Sequence, residues 1–142
     1  MGHYEVLDRV AVADAAFAIE GSDPADLFET AARALVELMV DPASVPLRVV
    51  RDVVLEAPEL DLLLFDWLSE LIFRKDRDAE VFPETCVTVE PGPPCRLVAT
   101  LRGGVIDPAT TVRRADPKAV TFHRFAVERR GDGWRAQVVI DV

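Results

Sequence analysis

The chain has 142 residues, 50% of them hydrophobic, with 25 acidic against 16 basic residues and a formal charge of −9. That length fits one domain spanning residues 1–142, with a core of its own, and the apolar fraction excludes intrinsic disorder, which needs low hydrophobicity with high net charge. The acidic balance argues against direct nucleic-acid binding through a general basic surface, because phosphate contacts need Lys and Arg in excess.

The chain opens on Tyr4 to Val12, which reads as extended. Asp14 to Glu20 alternates around Ala15, Phe17 and Ile19, so the two stretches form one bent strand or a hairpin. Gly21-Ser22-Asp23-Pro24 is a helix start: Asp23 can cap, Pro24 suits the first helical position, and Asp26 favours the positive end of the dipole. Leu27, Phe28, Ala31, Leu35, Leu38 and Met39 then share one face of an amphipathic helix, which Asp41-Pro42 closes. Leu47 to Leu55 is apolar and β-branched and reads as a strand.

Pro58-Glu59 opens a second helix, to about Lys75. Leu60, Leu63, Leu64, Trp67, Leu68, Leu71 and Ile72 make a wide apolar face, and Leu62, Phe65 and Phe73 carry it nearly all round. This helix is therefore expected to be the more buried of the two, with a polar stripe of Glu59, Asp66, Ser69 and Glu70. Thr85–Glu90 and Arg96–Arg102 flank Pro91-Gly92-Pro93-Pro94 as a hairpin that Gly103-Gly104 ends, and Asp107-Pro108 begins a loop. Ala119–Arg129 and Trp134–Val142 flank Arg130-Gly131-Asp132-Gly133 as a second hairpin. The order predicts an α+β fold: a mainly antiparallel sheet with two helices on one side.

No nucleophile elbow, dinucleotide fingerprint or phosphate loop is present. Cys86 and Cys95 form neither a disulfide framework nor a zinc signature and read as ordinary strand residues. No secretory leader opens the chain and no stretch is long enough to span a membrane, so a reducing cytoplasm is the expected location. His123, between Phe122 and Phe125, reads as a satisfied, partly buried histidine ahead of a catalytic base. Arg113, Arg114 and Lys118 read as a solvated loop, with a partner contact as the weaker alternative.

Carboxylates are more informative. Asp66 and Glu70 are four apart and share a helix face; a solvated edge is the plainer reading and a partner contact the other. Alternation in the last strand puts Asp141 on the face away from Trp134, Ala136, Val138 and Ile140. The α-carboxylate of Val142 follows within a few ångströms. Two carboxylates there repel, and a hard divalent cation with oxygen ligands would relieve it. Spacing alone does not bring Asp14 near them.

Four stretches resemble the archease family, over about Tyr4 to Val142. They are Tyr4–Asp8 with Val12–Phe17; Asp26–Ala32; Leu63-Leu64-Phe65-Asp66-Trp67-Leu68-Ser69-Glu70-Leu71-Ile72, close to the family's Leu-Tyr-Asp-Trp-Leu-x-Glu-Leu signature; and Lys118–His123 with Val139-Ile140-Asp141-Val142. The resemblance implies a non-enzymatic accessory protein. It would promote guanylylation and turnover of a GTP-dependent RNA ligase in tRNA splicing or RNA repair. Chaperone-like modulation of a tRNA methyltransferase is the alternative. It also implies a divalent cation, calcium with magnesium or manganese as substitutes, at Asp14, Asp141 and Val142. Many archeases carry a histidine-threonine pair before the first motif; here Arg9-Val10-Ala11-Val12 stands instead, and another placement of gaps makes Asp8 the metal residue in place of Asp14. For a protein partner, Asp66, Glu70, Lys118 and His123 are the candidate contacts.

Overall fold

A computed structural model describes residues 2–7 and 14–142. Among these residues seven strands and two α-helices follow in order: β1 His3–Leu7, β2 Asp14–Gly21, α1 Pro24–Met39, β3 Val49–Ala57, α2 Leu60–Asp78, β4 Glu80–Glu90, β5 Cys95–Val105, β6 Ala119–Arg130 and β7 Gly133–Asp141. The α+β class and the antiparallel pairing agree with the sequence reading. The opening stretches are two strands that pair antiparallel, the hairpin of the two alternatives.

The strands divide into two sheets, where the sequence suggested one. The first has the order β1-β2-β7-β6 and the second β3-β5-β4. Chain order cannot reveal this split, because β7 inserts between β2 and β6 and so carries the C-terminal hairpin back to the N-terminal one. Both helices serve both sheets: α1 packs on β2 and β4, and α2 on β3, β4, β5 and β6. A single core results, with Phe17, Ile19, Val138 and Ile140 from the first sheet, Leu97, Ala99 and Leu101 from the second, and Phe28, Leu35, Leu64 and Trp67 from the helices.

Local chemistry sets the helix ends. Asp23 Oδ1 accepts from the Asp26 N–H at 2.8 Å, and Pro24 follows it; such a cap contributes about 1 kcal/mol. The Asp26 carboxylate in turn accepts N–H bonds from Ser22 at 2.8 Å and Gly2 at 2.9 Å, tying the entry of β1 to α1. Burial pulls the Asp26 carboxyl upward, yet these N–H donors outweigh it and hold it below the usual range. α2 runs to Asp78, beyond the expected end at Lys75, and stops at Ala79 in the left-handed region at φ 55°. The added turn, Asp76-Arg77-Asp78, is charged and carries no apolar period to announce it.

The relative burial of the helices is the reverse of the sequence expectation. α1 buries nine of its 16 residues and α2 seven of its 19. α1 packs on β2 of the first sheet and β4 of the second, and buries Ala31, Ala32 and Ala34 together with its larger apolar residues. Phe73 of α2 stays half exposed.

β5 shows strict alternation: Cys95, Leu97, Ala99, Leu101 and Gly103 point inward while Val98, Thr100 and Arg102 point out. It does not end at Gly103-Gly104. These glycines continue the strand past the irregularity between Val81 and Glu84 of β4, where a Cβ on Gly103 would collide with the Val81 carbonyl oxygen. Gly103→Ala is expected to cost about 1–3 kcal/mol by forcing that backbone apart. Urea denaturation checks it, and an unchanged midpoint would refute the close-approach role.

Candidate functional site

β2 and β7 bring the two ends of the sequence together. Their antiparallel register sets Asp14 opposite Asp141, Phe17 opposite Val138 and Gly21 opposite Trp134. Phe17, Ile19, Val138 and Ile140 occupy the core face, so Asp14 and Asp141 share the other face, as alternation in β7 predicts. Directly opposed residues place their Cβ atoms about 4.5–5.5 Å apart, and like charges so placed repel. Both aspartates are half-buried. The Lys118 N–H donates to the Asp141 carbonyl oxygen at 2.7 Å and so anchors the entry of β6 beside it. Val142 follows, half-buried against the core.

Among the described residues, no ion pair uses Asp14 or Asp141. Nor do three His, Cys, Asp or Glu side chains gather there as a metal-binding group. Two opposed carboxylates supply hard oxygen donors, the kind calcium and magnesium take. Asp8, the alternative to Asp14, lies outside the described residues.

The other candidates lie apart. Glu70 accepts from Arg74 at 2.7 Å, with both side chains largely buried; it is committed within its own helix. Asp66 is exposed on α2, where partial desolvation raises its carboxyl above the usual range. His123 is exposed, contrary to the partly buried histidine that its neighbours suggest. Between Thr121 and Ala126 the β6–β7 register shifts, and Arg124 takes a φ of 54°. This bulge breaks the alternation on which the burial of His123 was inferred. Lys118 is exposed next to Asp141. Arg113 and Arg114 lie against the end of α1, through a bridge to Val40 and an Arg114 side-chain bond to the Glu37 carbonyl at 2.9 Å. Cys86 and Cys95 are strand residues, as expected.

Lys75 was hidden in the sequence as the last residue of a helix. It is buried, and its ammonium donates to the Pro117 carbonyl at 2.7 Å and pairs with Asp76 and Asp116. It pins the segment that leads into Lys118. The Lys75 contact holds the Asp116 carboxyl below its ordinary value of 3.8. A depressed carboxylate contributes stability above its unfolded pKa and loses it as pH falls through the folded value. Lys75→Met is therefore expected to flatten the acid limb of the stability curve below about pH 4, as read by denaturation at stepped pH. A parallel curve for both proteins would refute it.

The sequence reading also missed an aromatic surface. The bulge turns Phe122 and Phe125 onto Phe65 of α2. Phe122 stacks on it at 4.1 Å between centroids, and Phe125 meets it edge-on at 5.7 Å. Phe122 is nevertheless 64% exposed and Phe73 50%. Phe65 and Phe73 line a groove of about 330 Å³ between α2 and the start of β6, floored by Ile72 and Val120. The available signal was Phe73, off the main stripe of α2, which was assigned to the core.

The sequence matches the Archease protein family (MTH1598/TM1083) over residues 4–142. The chain belongs to the archease family. An archease of Methanosarcina barkeri is 33% identical over 141 residues, covering 98% of this chain and 95% of its own. That of Methanopyrus kandleri is 37% identical over 133 residues, covering 92% and 94%. The solution structure of Methanobacterium thermoautotrophicum protein 1598 superposes with a TM-score of 0.80 at 32% identity over 98% of both chains. A Thermotoga maritima crystal structure, titled an archease and possible chaperone, shares the fold at a TM-score of 0.62 and 20% identity, over 97% of this chain and 98% of its own. Among the described residues, no helix of this archease is long and apolar enough to cross a membrane.

Proposed function

We propose that this archease is a non-enzymatic accessory protein of the cytoplasm that binds a divalent cation and stimulates a GTP-dependent RNA ligase. One observation carries the reading: the ladder register that sets Asp14 opposite Asp141. Asp14, Asp141 and the α-carboxylate of Val142 hold the ion, calcium in the first instance and magnesium or manganese as substitutes. When bound, the ion supplies a concentrated positive charge suited to phosphate oxygens. The chain's own residues position it. The β2–β7 ladder fixes both aspartates on one face, and the Lys118 N–H holds the backbone of Asp141. This end of the first sheet is offered to the ligase near its nucleotide, which promotes guanylylation.

Asp141→Ala tests the reading. Guanylylation of the cognate ligase is expected to lose its stimulation by more than about tenfold, the scale on which perturbed metal sites fail. Undiminished stimulation would overturn it. The exposed Phe73 and Phe122 favour a second reading, chaperone-like modulation of a tRNA methyltransferase. That reading predicts suppression of methyltransferase aggregation with little dependence on Asp141.

A further inference from the structure

We propose that the rim of the first sheet, where β2 ends and β7 begins, holds the phosphate group of a small phosphomonoester. The inference goes beyond the accessory reading and does not rest on it. Four residues make one row across β1, β2, β7 and β6: His3, Glu20, Arg135 and Glu128, each directly opposite the next. Side chains so placed share a face of the sheet. The next rung sets Arg130 opposite Gly133. Residues two apart along a strand share a face, so Arg130 stands on the same side as the row, beside a position with no side chain. The gap at Gly133 opens a pocket of about 330 Å³, which His3, Glu20, Arg130 and Arg135 line together with the half-buried Trp134.

Charge selects the ligand. Among the described residues the lining carries two arginines and a histidine against one carboxylate, in a chain whose net charge is −9. Glu128 of the row and Asp132 of the β6–β7 turn do not line it. The Glu20 carboxylate is turned to His3 Nε2 at 3.1 Å and to Arg135 at 3.4 Å, and Arg130 reaches Glu128 only at 3.9 Å. Both arginine contacts are longer than a good hydrogen bond, and a guanidinium has five N–H donors, so both keep donors for a further acceptor. Two such groups on one pocket match a doubly charged phosphate, which accepts at several oxygens, better than a singly charged carboxylate. The Arg135 side chain is only 27% exposed, so an anion gains more beside it than on open surface. The volume lies at the small end of ligand pockets and fits a phosphate with a short organic substituent against Trp134. A nucleic-acid strand outsizes it and meets the overall negative charge of the chain. Asp14 lies six residues from Glu20 along β2, about 20 Å away, well beyond the screening length of about 8 Å in physiological salt. The acidic pair therefore neither repels this ligand nor shares it.

The test follows the backbone amide signals of Gly133, Trp134 and Arg135 by nuclear magnetic resonance. Sodium phosphate or glycerol phosphate is added to the full chain at constant ionic strength. Both are expected to move these signals saturably, while the indole N–H of Trp67, bonded to the Phe28 carbonyl in the core, stays in place. Glycerol phosphate should bind at least as tightly as inorganic phosphate; binding of inorganic phosphate alone overturns the ester. Arg130→Gln and Arg135→Gln should each weaken binding by at least about tenfold, the scale of a lost hydrogen bond to a charged group. Glu20→Gln should tighten it, because it removes the carboxylate that faces the ligand. A residue that only ties β1 to β2 would give no such gain. Still amide signals, equal binding of acetate, wild-type affinity in both arginine variants, or weaker binding by a folded Glu20→Gln chain overturns the inference. Asp141→Ala should bind glycerol phosphate as the native chain does, and a loss there overturns the separation of this pocket from the acidic pair.

Discussion

Trp67→Ala is expected to destabilise the protein by about 3–5 kcal/mol, the range for emptying a buried aromatic site. Trp67 has no exposed surface and sits where α2 meets α1, with its indole N–H donating to the Phe28 carbonyl at 3.0 Å. The substitution removes the ring and leaves that carbonyl with its helical partner alone. Trp67→Phe separates the two losses. It keeps much of the volume and forfeits the bond, so about 1–3 kcal/mol is expected. Urea denaturation of both variants measures the difference: an unchanged midpoint in Trp67→Phe would show that the hydrogen bond contributes nothing, and equal losses in the two that the ring's volume adds nothing to it. A small loss in Trp67→Ala would show that the helices close over the gap.

Asp141→Asn is expected to change stability in opposite directions with and without calcium. In a chelator, the neutral side chain removes the repulsion with Asp14 across the ladder, a gain of about 0.2–1 kcal/mol. In calcium at 100 times the dissociation constant, the native chain gains about 2.7 kcal/mol by mass action, worth about 2–4 °C in Tm per kcal/mol for a domain near this size. The variant should gain little. Thermal melts in the two conditions are therefore expected to cross over, which a merely damaged fold would not do. A native chain whose Tm ignores calcium would end the cation reading.

Much of this was legible in the sequence, for identifiable reasons. The first helix declares itself through Asp23-Pro24 and a regular apolar stripe, and β5 through alternation. The resemblance in the Leu63–Ile72 stretch pointed to the family, and Trp67 within it is a core residue. Register was not legible. That Asp14 faces Asp141 depends on β7 pairing between β2 and β6, a non-local choice that no window of sequence contains. His123 was misjudged because a bulge interrupts the period of two. Phe73 was misjudged because an apolar residue on a helix does not say whether a neighbour covers it. Glu80 and Lys75, both charged and both buried, were unreadable without their partners: Arg51 at 2.8 Å for the first, and Asp76, Asp116 and the Pro117 carbonyl for the second.

The placement of β7 has a consequence for how the acidic pair can be lost. β7 is an inner strand of its sheet yet lies far from β2 along the chain, so Asp14 and Asp141 meet only through a long-range closure. A local opening that lifts β7 out of the ladder would separate the two aspartates and bare the edges of β2 and β6 in the same event. The acidic pair exists only while β7 is seated, and so reports on the closure of the first sheet.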